Sequence, residues 1–223
     1  EEGWTRFVFE EYGFAYTSLV DQDVRRGGLA EEFDAIVLPN QPPPALRDGH
    51  PGSDYPAEYA GGLGVKGAEA LREFVELGGT LIAWDGGARY AIQDLRLPVE
   101  NAMSGMSRSD FFAPGSLLRI VLDTDHPIAY GMPADAAVMF VNSLVPSIRD
   151  GQVIGTYPRK DPLLSGWLIG PQKLHGKAAL ATVPLGRGKV VVIGFRPNFR
   201  AQARCTYKIL FNSLFYSVVR GQV

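Results

Sequence analysis

Short apolar runs alternate with amphipathic segments along the first half of the chain. The runs Ala35–Leu38 and Leu81–Trp84 have no polar alternation and are too short for helices, which is typical of strands buried on both faces. The predicted elements are a helix at 3–12, a strand at Phe14–Val20, a turn and short helix at Asp21–Glu32, a strand at Ala35–Leu38, a helix at 66–77 and a strand at Leu81–Trp84. Because helices alternate with strands, the chain supplies the crossovers that parallel strand pairs require.

The second half has short apolar runs separated by turn residues, a pattern that predicts antiparallel strands. The predicted elements are a short helix at Arg89–Gln93, strands at 117–123, 138–142, 153–156, 178–183 and 189–194, and a C-terminal helix at about 200–219. Gly186-Arg187-Gly188 has the composition of a hairpin turn. The whole pattern predicts one α/β domain over 1–223, with a parallel core, helices on both faces and an antiparallel strand extension.

The composition of the chain limits the classes of partner and of covalent or metal cross-link that can be expected. A net charge of −2 gives no indication of a basic surface for nucleic acid. The sequence contains no run of about 18 apolar residues, so membrane insertion is not predicted. With Cys205 as the single cysteine, an internal disulfide or a cysteine metal cage is excluded. The chain opens on Glu1 without an initiator methionine, so we expect it to be part of a longer polypeptide.

The turn Asp85-Gly86-Gly87 follows the run Leu81–Trp84, where an open α/β sheet places its ligand or nucleophile. In amidotransferases and many hydrolases this turn carries a Cys or Ser between small residues. Because an aspartate stands here instead, no catalytic residue is predicted. Cys205, at the start of the last helix, is interpreted as a partly buried small residue rather than a nucleophile.

The serines, the histidines and one glycine-rich segment are weak candidates for a catalytic, metal or phosphate site. The three serines of the polar segment are interpreted as loop polarity: Ser104, Ser107 and Ser109. The three histidines lie in loops without metal-ligand spacing, so no metal site is predicted: His50, His126 and His175. Gly61-Gly62-Leu63-Gly64 lacks the Lys-Ser/Thr of a phosphate loop and is interpreted as a turn that leads into the next helix.

A polar cluster is predicted where several strands end. Because the carboxyl ends of parallel strands meet at one edge, Asp85 is expected beside Arg196 or Arg200, with Asn40 in the same depression. The candidate ligand-binding residues are Asn40, Asp85, Gly86, Gly87, Arg196, Asn198 and Arg200. Two interpretations stay open: a structural ion pair that fastens loops, which we favour, and a small-molecule pocket.

Several motifs together resemble the C-terminal domain of certain bacterial zinc carboxypeptidases. The matching segments are 2–6, 33–39, 59–64, 74–81, 112–118, 126–127, 131–133, 186–190, 195–200 and 211–212. The resemblance implies a class I glutamine amidotransferase-like, flavodoxin-like fold, similar also to trehalose-utilisation-type proteins and to the middle domain of some β-galactosidases. The His-x-x-Glu zinc motif of the carboxypeptidase catalytic domain is absent from these residues, so zinc is expected only in that domain and no cofactor here.

The resemblance implies a non-catalytic accessory domain of a secreted or periplasmic zinc carboxypeptidase. Its role would be to pack against the catalytic domain of the same polypeptide, or to hold substrate or cell-wall material near it. One alternative is carbohydrate or small-molecule binding, for which the loop aromatics are Tyr55, Tyr59 and Trp167. The other is a stand-alone hydrolase or amidotransferase with an unrecognised site.

The fold that the resemblance implies has a strand before the helix at 3–12, between Phe14–Val20 and Ala35–Leu38. Without that strand, Phe14–Val20 would leave a row of backbone amides unpaired. We therefore expect residues outside this chain, or a second copy through strand swapping in a homo-oligomer, to supply it.

Overall fold

The computed structural model describes residues 1–50, 55–56 and 60–219 of the chain. The helices are α1 Glu2–Glu11, α2 Asp21–Arg26, α3 Leu29–Glu32, α4 Pro43–Asp48, α5 Gly64–Glu76, α6 Gly86–Asp94 and α7 Tyr207–Ser217. The strands are β1 Ala35–Leu38, β2 Thr80–Trp84, β3 Val99–Asn101, β4 Ser116–Leu122, β5 Asp135–Phe140, β6 Pro146–Ile148, β7 Gln152–Thr156, β8 Leu163–Ser165, β9 Ala178–Leu185 and β10 Gly188–Ile193.

One mixed sheet organises the molecule, with strand order β1-β2-β10-β9-β7-β4-β5 and β8 alongside β4. β1, β2 and β10 run parallel, whereas the remaining strands pair antiparallel. A separate ribbon joins β3 to β6. The sheet curls, because the Arg196 N–H, just after β10, donates to the Met139 carbonyl on β5 at 3.0 Å. The predicted α/β fold, with its parallel core and antiparallel extension, is confirmed.

Strand β2, which lies between β1 and β10, separates two apolar clusters. Because side chains alternate along a strand, Ile82 and Trp84 enter one cluster while Leu81 and Ala83 enter the other. The first cluster is covered by α1 and α7 and fills the concave side of the sheet, and the second lies under α5 and α6. Packing on both faces therefore fixes the position of β2 and of the turn that follows Trp84.

Two sequence predictions are wrong in detail. Phe14–Val20 is not a strand: within the described residues β1 pairs only with β2, and Ala15–Ser18 is exposed. The C-terminal helix is shorter than predicted, since 3-10 turns at Phe199–Ala201 and Arg204–Thr206 precede α7. The connection after β1 contains a helix, α4, which begins at Pro43, where a fixed φ and a missing N–H suit the first turn.

Candidate functional site

The site is the sharp turn between β2 and α6. Asp85 has φ 48° and ψ −109°, a conformation close to the first central residue of a type II′ turn, where glycine is the ordinary choice. Its N–H donates to the Ile193 carbonyl at 3.1 Å, which fixes the turn to the end of β10. A non-glycine residue held in this conformation stores strain on the order of 1–3 kcal/mol. The turn that the sequence predicted after Trp84 is therefore a strained elbow, with aspartate at its apex.

Gly86 and Gly87 are required by packing rather than by φ. A Cβ on Gly86 would overlap the Gln41 carbonyl, and a Cβ on Gly87 would overlap the carbonyl oxygens of Leu38 and Pro39. The first turn of α6 thus lies directly against the chain that leaves β1. Asn40 closes this contact, because its Oδ1 accepts the Gly86 N–H at 3.0 Å.

The Asp85 carboxylate is buried and paired. Its residue is 4% exposed, and its Oδ2 accepts from Arg196 Nε at 3.1 Å and from Ser143 Oγ at 3.1 Å. Arg89 lies one helical turn further on, with its Nε 3.7 Å from Oδ1. A buried carboxylate is stable only with such partners. The three contacts hold Asp85 inside the elbow instead of presenting it to a substrate.

Arg196 joins a second carboxylate to the cluster. Its Nη1 lies 3.4 Å from Glu1 Oε1, and both side chains are largely buried. Arg89 uses its Nη2 to donate to the Asn142 carbonyl at 2.9 Å. Two carboxylates and two guanidinium groups therefore balance in charge at this edge of the sheet.

Beneath the cluster lies Tyr157, fully buried against Phe140. Burial raises the pKa of Tyr157, and the negative charge of Asp85 adds to the shift. The phenol is therefore neutral at physiological pH. Its hydroxyl has no hydrogen-bond partner among the described residues.

Not every predicted residue joins the cluster. Asn40, Gly86, Gly87 and Arg196 surround Asp85, but the Asn198 side chain is fully buried and donates instead to Thr5 Oγ1 at 2.9 Å. Arg200 is exposed and lies over the Phe199 ring, 5.2 Å from its centroid. Among the two candidate cations, Arg196 is therefore the partner of Asp85.

Sequence reasoning missed Glu1, Arg89 and Ser143. Arg89 had a usable signal, since it lies four residues after Asp85 on a predicted helix. Ser143 follows β5, which reaches the elbow only because the sheet curls, so no local pattern marks it. Glu1 is placed by the packing of α1 against the same edge.

The cluster presents no nucleophile to solvent, because the Ser143 hydroxyl and the Asp85 carboxylate are both buried. Ser143 is buried, and its Oγ accepts from the Val141 N–H at 3.0 Å while it donates to Asp85. His126, the buried histidine, accepts the Ile128 N–H on Nδ1 at 3.1 Å and packs edge-on to Tyr216. Cys205 is exposed, so its predicted partial burial is wrong, and its Sγ donates to the Ala137 carbonyl at 3.3 Å.

The remaining candidates lie in loops or outside the described residues. Ser107 donates to Asp110 Oδ2 at 2.6 Å in an exposed turn, and Gly61–Gly64 leads directly into α5. His50 stacks on Tyr55 with ring centroids 4.4 Å apart, while Tyr59 lies outside the described ranges. Across residues 1–50, 55–56 and 60–219, no cluster of His, Cys, Asp and Glu side chains has the geometry of a metal site. None of the helices described is long and apolar enough to cross a membrane.

Sequence comparison matches the chain to no family and to no curated protein. Among solved structures, it is similar to the cytoplasmic protein STM3548 from Salmonella typhimurium, with 14% identity and a TM-score of 0.59 over 96% of this chain and 85% of that one. A second match is the cytoplasmic protein STM1381 from Salmonella typhimurium LT2, with 13% identity, a TM-score of 0.57 and coverage of 98% and 87%. A ThuA-like protein from Bacteroides uniformis ATCC 8492 matches at 14% identity with a TM-score of 0.47, covering 98% and 82%.

At these identities the likeness shows the fold and nothing of the activity. The predicted carboxypeptidase context gains no support from it. The chain has a flavodoxin-like α/β fold, with aspartate at the turn between β2 and α6.

Proposed function

We propose that this chain is a non-catalytic accessory domain. The observation that carries the proposal is the closed elbow: Asp85 is 4% exposed and bound to Arg196 and Ser143. A nucleophile or general base must reach the reacting atom within hydrogen-bond distance, and this carboxylate is held away from solvent. In this proposal, the turn after β2 holds a buried ion cluster instead of an exposed nucleophile.

The resemblance of the sequence motifs to the C-terminal domain of zinc carboxypeptidases supports one partner. In this proposal the domain packs against a carboxypeptidase catalytic domain of the same polypeptide, outside the cytoplasm, and zinc belongs to that domain alone. Packing, or retention of substrate or cell-wall material near the catalytic domain, is the resulting role.

Activity assays test the non-catalytic part. The folded chain should show no turnover of glutamine, of p-nitrophenyl acetate or of a peptide mixture. Turnover that survives Cys205→Ala but disappears in Asp85→Asn, with the circular dichroism spectrum unchanged, would establish an enzyme and overturn the proposal. Asp85→Asn is suitable because it removes the charge but keeps the side-chain shape.

A binding experiment tests the partner. The coding sequence upstream should contain a His-x-x-Glu domain, and that domain, purified separately, should bind this chain in a calorimetric titration. An upstream region without such a domain would remove the carboxypeptidase partner while leaving the non-catalytic role intact.

Trp167 favours a second candidate, carbohydrate binding. Its side chain is 64% exposed, while its backbone N–H and C=O both bond to Ser116 Oγ, at 3.0 and 2.6 Å. An exposed indole on a fixed backbone is a suitable platform for stacking a sugar ring. Trp167→Ala should abolish binding on a glycan array, whereas Trp4→Ala, which removes another exposed indole on α1, should not. Equal loss in both variants, or no binding by the parent chain, would eliminate this candidate.

A further inference from the structure

A cleft of about 400 Å³ opens beside the first residues of β10, under the last turn of α7. Lys189 lies at this end of β10, whereas the elbow is bonded to Ile193 at the other end. With a rise of about 3.3 Å per residue, the two ends are about 13 Å apart. The cleft is therefore separate from the elbow. It is lined by Asp150, Gly151, Gln152, Thr182, Pro184, Gly188, Lys189 and Tyr216.

The register of the sheet places the polar lining on its concave side. Thr182 lies directly opposite Gln152 on β7 and opposite Val191 on β10. Residues that are directly opposite each other share a face, and so do alternate residues along one strand. Since Val191 belongs to the concave cluster, Thr182, Gln152 and Lys189 lie on that face as well. The cleft is thus the place where the concave apolar core ends and polar side chains follow.

Lys189 brings a positive charge into the cleft without a matching acid. Its Nζ lies 4.1 Å from the centroid of the Tyr216 ring and donates to the Val219 carbonyl at 3.4 Å. Among the described residues, no carboxylate lies within ion-pair distance of this ammonium group. Burial lowers the pKa of Lys189, and no neighbouring acid opposes that shift. A partly desolvated ammonium group that lacks a counter-charge favours an anionic ligand.

The remaining polar groups of the cleft can bond to hydroxyl groups. Thr182 is 8% exposed, yet its hydroxyl makes no hydrogen bond to any residue that the structure describes. Gln152 and Asp150 are exposed beside it, and they offer an amide and a carboxylate. Gly151 holds this turn close to β9, because a Cβ there would overlap the Thr182 carbonyl oxygen. The Asp150 carboxylate accepts from hydroxyl groups but repels a second anionic group.

We propose that this cleft binds a small monocarboxylate that carries several hydroxyl groups. The ligand carboxylate bonds to Lys189 and Thr182, and its hydroxyl groups bond to Gln152 and Asp150. The Tyr216 ring covers the carbon chain. Small-molecule sites commonly enclose about 300–1,000 Å³, so the cleft has room for one such molecule. This inference does not depend on the non-catalytic role proposed above, because the elbow takes no part in it.

An NMR titration of the whole chain with D-gluconate tests the proposal. Saturable shifts are expected at the amides of Gln152, Thr182 and Lys189. D-glucitol, which has a hydroxymethyl group in place of the carboxylate, and hexanoate, which lacks the hydroxyl groups, should each bind about tenfold more weakly or less. The proposal is wrong if gluconate does not bind at millimolar concentrations, or if either analogue binds equally well. Shifts confined to the Gly86 and Gly87 amides would place binding at the elbow and would also overturn it.

Two substitutions locate the ligand carboxylate. Lys189→Met keeps the length of the side chain and removes its charge, so gluconate affinity should fall about tenfold or more. Lys208→Met is the matched control on α7, because Lys208 is exposed and bonds to the Gly131 carbonyl, and affinity should not change. Thr182→Val keeps the shape and removes the hydroxyl, for an expected loss of about fivefold. Unchanged affinity in folded Lys189→Met, or in folded Thr182→Val if the first variant does not fold, contradicts the proposal. Inorganic phosphate that binds the same amides more tightly than gluconate would show a general anion site instead.

Discussion

The elbow at Asp85 and the outer edge of β1 are neighbours, yet they differ in how their polar groups are satisfied. At the elbow, a buried carboxylate has three polar partners within 3.7 Å, including two guanidinium groups. Along the edge, the backbone groups of Ala35 and Val37 point away from β2, because bonding groups alternate along a strand, and they have no strand partner among the described residues. The elbow follows the apolar strand β2, and the edge belongs to the apolar strand β1. Since the two strands have a similar apolar pattern, that pattern does not show which polar groups are paired.

The difference indicates where this molecule can interact. In the cluster, the buried carboxylate is balanced by its polar partners, whereas unpaired amides at a sheet edge are in general a template for another strand. The turn after β2 is therefore closed by its own side chains, and the outward amides of β1 are left without a strand partner among the described residues. Four predictions test this contrast.

The largest expected effect comes from Asp85→Ala. Removing the Asp85 carboxylate leaves Arg196 with its longer contact to Glu1 and takes from Arg89 its charge partner, and should lower the free energy of unfolding by about 3–5 kcal/mol. The matched control is Asp135→Ala, because Asp135 forms an exposed ion pair with Arg119. That change should cost about 0–1 kcal/mol. Urea denaturation measures both. A small loss for Asp85→Ala, with loss of a co-purifying small molecule, would identify a ligand site instead.

Proline substitution separates the two sides of β1. Ile36→Pro removes a donor to β2 and a buried side chain, and should cost about 3 kcal/mol from the two losses together. Val37→Pro removes an outward donor and a side chain that is only partly buried, so the loss of stability should be smaller. Thermal unfolding compares the two variants. Equal destabilisation would mean that Val37 is paired in solution, against the open edge described here.

Gly87→Ala examines the packing of the elbow. The added methyl would overlap the Leu38 and Pro39 carbonyl oxygens, so the start of α6 must shift, at a cost of about 1–3 kcal/mol. Gly3→Ala is the control, since no atom lies near its Cβ position in α1. There the higher helix propensity of alanine should stabilise the protein by about 0.5–1 kcal/mol. Effects of the same sign would refute the account of the crowded elbow.

The smallest expected effect is a pH dependence from His126, whose Nδ1 is bonded while its Nε2 has no partner among the residues described. Burial lowers the pKa of His126, Asp123 opposes this, and Lys189 adds to it. Below its ordinary pKa near 6.5, the unfolded state binds a proton that the folded state resists. Stability should therefore fall as the pH drops below about 6.5. His126→Gln should flatten this fall relative to His175→Gln; identical slopes would show that other groups cause it.

Much of the fold could be predicted from local pattern. The uniform apolar runs at Ala35–Leu38 and Leu81–Trp84 predicted parallel strands, and the helix at 66–77 and the hairpin at Gly186–Gly188 are also present. These elements were accessible because burial on both faces, or on one helical stripe, determines residue type at each position. The strand predicted at Phe14–Val20 is absent, because an apolar segment becomes a strand only when another strand pairs with it.

The candidate site divides in the same way. The sequence by itself determined that Asp85 stands at a turn, after a buried strand and before two glycines, because strand, turn and helix are adjacent in the chain. The contact of Asp85 with Ser143 and the contact of Arg196 with Glu1 were decided only by tertiary structure, through the curl that brings the end of β5 to Arg196 and through the packing of α1. The residues of the first contact are 58 positions apart in the chain, and those of the second are 195 positions apart. Such contacts depend on the path of the whole sheet, which no local pattern contains.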